Sequence, residues 1–315
     1  MSTSGSTNYS ITRSDIIYDA LALLEVTGSD STVAAPEDDA LCARFLNRMV
    51  KHWLVMGLNL WLQQTATIFL NPNQNTYTLY NNAAADHAAV TSVTTTTTSA
   101  ASLGASSVVV ASVTGMTNGD NIGVVLDTGA IQWTTITNIS TLTLTLNNTL
   151  TATAASGNKV YTFTTFLDKP LDILQATYKY SSGIEIPMRK ISTEEYFNMP
   201  NKTNIGTSVM YAVLPGRTST QVYLYPTPTN ANDTMQIKFS RFSQDLDSTT
   251  DEPDFPIEWA DALIYNLALR VAPIYGKEDK ANKVIAPLAA TFLQECSDWD
   301  NEHANMRFVH DGDFE

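Results

Sequence analysis

Apolar residues recur at helical spacing near both ends of the chain and alternate along its middle. The clearest helical stretch runs from Asp251 to Gly276, with Trp259, Ala260, Leu263, Ile264, Leu267 and Val271 as its stripe. Pro256 suits the first helical position, where its missing N–H costs nothing. Asp251, Glu252, Asp254 and Glu258 favour a helix start electrostatically, and Pro273 with Gly276 kinks or ends the helix. An earlier helix is predicted from Arg13 to Val26, capped by Thr12 or Ser14, with Ile16, Ile17, Ala20, Leu21 and Leu24 inward. A second opens at Pro36 behind Glu37, Asp38 and Asp39 and stops at Gly57. Leu41, Phe45, Met49 and Trp53, with Leu46, Val50 and Leu54, form its stripe, while Arg44, Asn47, Arg48 and Lys51 lie towards the other side. The last helix is expected from Lys277 to about Asn305, with Ile285, Leu288, Phe292, Cys296 and Trp299 on one face and a kink or division at Pro287.

From Trp61 the period changes to two. Thr65–Leu70 and Thr76–Tyr80 read as a hairpin across a turn-rich linker. Ile173–Tyr180 and Ile184–Met188 read as a second hairpin, and Ser192 caps one short helix. Met210–Leu214, Gln221–Tyr225 and Met235–Phe239 read as a meander. Residues 82–165 differ in composition. Between Ala88 and Phe163 only Asp120, Asp127 and Lys159 are charged, Thr is abundant, and turn signals separate about five short strands. This stretch reads as a small β-barrel or sandwich inserted into another domain.

The expected architecture is therefore α+β. A helical bundle built from N- and C-terminal helices joins a central β meander to make a core of residues 1–81 and 166–315, and residues 82–165 form the inserted Thr-rich β domain. The bundle core is expected at Leu21, Phe45, Met49, Trp53, Trp259, Leu263 and Leu267, with Trp53 and Trp259 meeting in one core. Residues 1–11 read as a disordered arm, and Phe308–Glu315 as an extended tail.

Composition narrows function mainly by exclusion. Apolar residues make up 43% of the 315, enough for a sizeable core, but only 16% are charged. Neutral Thr, Ser and Asn, or burial between subunits, must cover the remaining surface. The net charge of −14 disfavours tight nucleic-acid or membrane binding, yet would let DNA slide past without sticking. Nothing at the N-terminus looks like a secretory signal, and no run reaches the ~18 apolar residues of a membrane span. Cys42 and Cys296 read as buried thiols; no metal site or cofactor is expected.

Candidate chemistry is sparse. Phosphate-loop, dinucleotide, zinc-protease and serine-hydrolase motifs are all missing. His52, His87, His303 and His310 lack spaced partners and read as surface residues. Of the carboxylate pairs Asp38/Asp39, Glu194/Glu195, Asp251/Glu252 and Asp298/Asp300, three are explained as helix-start charges; a hydrolase reading would be tested at Glu194 or Glu195. Lys277, Lys280 and Lys283 are interrupted by Glu278 and Asp279 and read as a solvated face. Tyr211, Tyr223, Tyr225, Phe239 and Phe242 would suit either strand packing or an aromatic carbohydrate platform.

Three stretches together resemble the head-to-tail adaptor proteins, or tail accessory factors, of short-tailed bacteriophages. They are the helix Phe255–Gly276, the strands Ser208–Arg241 before it, and the pair Ser14–Leu21 with Ala43–Trp53. The resemblance covers about residues 10–80 and 166–290. It implies a structural, non-enzymatic virion protein at the head–tail junction, assembled in the host cytoplasm. It further implies a ring of commonly about twelve subunits beneath the portal protein. Such a ring would extend the DNA channel, retain packaged DNA without sequence-specific binding, and carry tail nozzle or tail-fibre proteins. In such families the C-terminal segment docks on the portal, which maps here to Trp299, Phe308, Val309 and Phe314. The competing readings are a receptor- or glycan-binding tail protein using residues 82–165, and a cell-wall hydrolase.

Overall fold

The computed structural model describes residues 5–6, 8–27, 33–57 and 60–299. Two helices come first, α1 (Arg13–Leu23) and α2 (Pro36–Val55), followed by strands β1 (Gln63–Phe69), β2 (Thr76–Leu79) and β3 (Ala88–Ala89). The Thr-rich stretch supplies β4 (Val93–Thr96), β5 (Ser107–Val109), β6 (Asn121–Val125), β7 (Ile131–Ser140), β8 (Thr143–Leu146) and β9 (Lys159–Phe163). Then come β10 (Asp172–Lys179), β11 (Glu185–Pro187), β12 (Arg189–Lys190) and the short α3 (Thr193–Phe197). The chain continues through β13 (Met210–Pro215), β14 (Thr220–Tyr225) and β15 (Thr234–Ser240) into α4 (Ala260–Val271), α5 (Glu278–Lys280) and α6 (Ala286–Trp299). The fold is mixed α+β. It divides into two compact units, residues 1–62 with 242–315 and residues 63–241.

In the first unit, one apolar cluster draws on helices from both ends of the chain. Leu21, Met49, Trp53, Trp259, Leu263 and Leu267 are buried in it, while Phe45 is only half-buried and packs against its edge. Trp53 and Trp259 lie 5.8 Å apart, centroid to centroid, and Trp61 and Phe255 complete a knot of four rings. Thr12 caps α1 in a reciprocal box with Asp15, which satisfies donors the first turn leaves free. Ile11 is buried, so the expected arm is packed at its end. Pro256 precedes a 3-10 turn, Ile257–Trp259, and α4 proper starts one turn later than expected. Gly276 ends this region in the left-handed conformation that favours glycine.

Polar residues on the same helices hold an irregular strap, residues 243–251. The buried Arg13 guanidinium pairs with Asp39 at 2.6 Å and donates to the Asp247 carbonyl at 2.7 Å. Asn47 donates to the Leu246 carbonyl and accepts from the Leu246 N–H, at 3.1 and 3.0 Å. Lys51 donates to the Ser243 carbonyl. Asn47 and Lys51, placed by the sequence towards the other side from the apolar stripe, are therefore anchors.

In the second unit, two sheets face each other. One has the order β11-β10-β15-β1-β3, the other β12-β13-β14-β2, and Ile68, Tyr178, Ile237 and Phe239 from the first pack with Tyr77, Tyr211, Val222 and Leu224 from the second. Two sequence expectations are corrected here. β1 and β2 do not form a hairpin: β1 pairs with β15 and β3, while β2 pairs with β14. The proposed meander also divides, because β13 pairs with β14 but β15 crosses to the other sheet between β1 and β10. The cause is geometric. Alternation gives each strand one buried face, and strands on opposite sheets satisfy that rule equally well against a shared core. The expected pairing of β10 with β11, and the Ser192-capped helix, are present.

The Thr-rich stretch forms a six-stranded sheet ordered β4-β9-β6-β7-β8-β5. The Thr98 N–H donates to the Val109 carbonyl and the Ala111 N–H to the Thr96 carbonyl, both at 2.9 Å, so the two outer strands join and the sheet closes into a barrel. Val108, Val110, Ile122, Val124, Ile136, Leu144 and Val160 fill it. β4 escaped the periodicity because its inward face offers only a half-buried Val93 and the polar Thr95. The opposite faces of β6 and β9 are buried as well, through Val125, Tyr161 and Phe163, which pack on Phe69, Ala89 and Ala231.

Candidate assembly surface

The helices that end the described chain leave several large apolar groups of the first unit exposed. Residues 281–285 adopt a π-helical turn immediately before Pro287, which divides the last helix where a division was expected. Beyond it, α6 runs antiparallel to α4. Asn266 donates to the Ala289 carbonyl at 3.1 Å, Tyr265 meets Phe292 edge-on at 5.0 Å, and the Cys296 thiol reaches the Glu258 carbonyl at 3.7 Å. The inward face is Ile285, Ala289, Phe292, Leu293 and Cys296.

Leu288 and Trp299, expected on that face, are exposed. Leu288 lies on the flank of the stripe. Trp299 lies one turn past Cys296, which already sits opposite Glu258, so no part of α4 remains to cover it, and it is 56% exposed. Val284, Leu288 and Trp299, with Ile274 before them, leave large apolar groups open to solvent along this segment. Phe308, Val309, Phe314, His303, His310 and Asp300 lie outside the described residues.

Titratable groups here stay close to structural roles. Burial pushes the Cys296 and Cys42 thiols up to about 11, so both are neutral thiols near pH 7. Cys42 is fully buried and Cys296 half-buried. Tyr275 donates to Asp38 at 2.7 Å, and burial raises its phenol. Lys280 pairs with Glu25 at 2.7 Å, and that hydrogen bond lowers the Glu25 carboxyl. Glu195 accepts from Arg189, so one carboxylate of the pair in the hydrolase reading is engaged in a surface ion pair. Among the described residues no cluster has metal-site geometry, and no helix is long and apolar enough to cross a membrane.

His87 departs from its surface expectation. Its ring stacks on Trp133 at 3.9 Å and 5° and touches Phe163 and Phe166, and burial pushes its pKa down to about 4. Of the aromatic set suggested as a carbohydrate platform, Tyr211 and Phe239 are buried in the sandwich core, and Tyr223 packs against Tyr196. Tyr225 is half-buried, and Phe242 is exposed.

Among curated proteins, none matches the chain. A protein family described as SU10 adaptor protein matches residues 129–301, more than half of the chain. The matched segment takes in the second part of the barrel, β10 to β15, α4 and the exposed end of α6. The chain belongs to this family of bacteriophage adaptor proteins.

Proposed function

We propose that the protein works as a ring of subunits at the head–tail junction of the virion, beneath the portal protein, with commonly about twelve copies. The ring extends the DNA channel, retains the packaged genome and offers a platform for tail nozzle or tail-fibre proteins. It acts as a structural component and catalyses no reaction. In this reading the helices of the first unit serve as a bundle that carries α6 to the portal, and residues 82–165 are an insertion in the adaptor core.

The observation that carries the reading is Trp299. It is a large ring left open at the end of a helix whose opposite face is locked against α4. Buried aromatic anchors commonly dominate protein interfaces. Phe308, Val309 and Phe314 would extend the same contact. The net charge of −14 supports a conduit wall that repels phosphate.

The test mixes the protein with the portal of the same phage and images the product by electron microscopy. A closed ring on one face of the portal is expected. Trp299→Ala should weaken the complex at least tenfold while leaving the helical content unchanged. A chain that remains monomeric with portal overturns the proposal.

A further inference from the structure

A cleft of about 300 Å³ lies in the second unit, between the barrel and the five-stranded sheet. That is the lower end of the about 300–1,000 Å³ usual for small-molecule sites. β4 and β9 supply one wall, with Thr94 and Lys159, and β10 and β15 the other, with Lys179, Thr234 and Gln236. Two features set it apart from the rest of a chain whose net charge is −14.

The first is charge. Both cations face the cleft, and no described residue lining it is acidic. Lys159 is the only basic residue between Ala88 and Phe163. Its ammonium donates to the Asn232 carbonyl at 3.1 Å, and desolvation lowers its pKa. A neutral carbonyl leaves that charge only partly compensated, by attraction to the Asp233 carboxylate. Asp233 lies nearby but is turned into the sandwich, where it accepts from Tyr178 and from the Ser181 N–H, both at 2.8 Å. Lys179 pairs with Glu185 at 2.9 Å in an exposed, weak ion pair.

The second feature is the remaining lining. It consists mainly of hydroxyls, amides and the rings of Phe69, Tyr161 and Tyr180. Hydroxyls and amides both donate and accept, which matches the hydroxyl groups of a sugar; a phosphate chain offers acceptors alone. The lining contains no arginine, the residue suited to planar, bidentate phosphate recognition.

We propose that this cleft binds an acidic saccharide, with a carboxylate held by Lys159 and Lys179 and the sugar hydroxyls by the polar walls. The proposal is independent of ring assembly at the portal.

The test is calorimetry of the full chain with four probes. They are a short hexuronic-acid oligomer, its neutral hexose counterpart, inorganic phosphate and a single-stranded oligodeoxynucleotide. The uronic-acid oligomer should bind at least tenfold more tightly than each of the others. Lys159→Met should weaken it at least tenfold. Because that change also removes the Asn232 contact, Gln236→Glu serves as a second variant, placing a like charge in the cleft without truncation. It too should lose at least tenfold. Equal binding of the neutral oligomer, tighter binding of phosphate or the oligonucleotide, failure of all four probes, or indifference to Gln236→Glu would each overturn the proposal.

Discussion

Lowering the pH should loosen the aromatic seam between the barrel and β1 through one side chain. His87 stacks on Trp133, and burial lowers its pKa from the ordinary value near 6.5 to about 4. A histidine depressed in this way is neutral in the folded chain near pH 7. The unfolded chain takes up the proton first as pH falls, so stability is intact above about 6.5 and is lost progressively towards about 4. At about 1.4 kcal/mol per pH unit the full loss is at most about 3.4 kcal/mol, and partial solvent access to the ring reduces the expected value to about 2 kcal/mol. His87→Phe keeps a ring in the stack and removes the titration. Urea unfolding followed by circular dichroism should show the wild-type chain losing about 2 kcal/mol more than His87→Phe between about pH 7 and about pH 4. Nuclear magnetic resonance titration of the imidazole should place its midpoint near 4. Parallel stability curves for the two proteins, or a midpoint near the ordinary value, would refute the reasoning.

Two further outcomes follow from close packing and from the strap. An added methyl on Gly123 would stand 2.8 Å from the Trp133 ring, which His87 and Phe163 keep from moving aside. Gly123→Ala should cost about 1–3 kcal/mol and change Trp133 fluorescence, the one tryptophan of residues 63–241; an unchanged spectrum would argue against the stack. Arg13→Met leaves the half-buried Asp39 without its partner and should cost about 2–3 kcal/mol in thermal or urea unfolding. Adding Asp39→Leu should restore much of that loss, since an apolar pair can replace a buried ion pair; a single variant within 1 kcal/mol of wild type would show that the clasp is not under load.

The helices were legible because their signals are local. Pro36, the acidic first turn and the stripe through Met49 and Trp53 specify α2 without reference to the rest of the chain. The composition break at Ala88 and Phe163 likewise outlined the barrel stretch. Strand partners were not legible, because Met235, Ile237 and Phe239 show the same alternation whether their strand joins β14 or β1. The strap anchors were hidden for a related reason: Arg13, Asn47 and Lys51 find carbonyl partners about 190–235 positions away, and carbonyls carry no side-chain signal. The cleft was equally invisible, since Lys159 and Lys179 meet only once the barrel docks on the sheet.

Closure of the barrel through Thr96, Thr98, Val109 and Ala111 has a consequence for crowding. An open sheet of six strands would present two rows of unpaired amides to every neighbouring copy, and each row is a template for strand recruitment and fibre growth. Here the two edges pair with each other around Thr97 and Val110. The other sheets end in β11, β3, β12 and β2, none longer than four residues. In the proposed ring, neighbouring copies would therefore meet through side chains, where shape and charge set the register, and would gain little by exchanging strands.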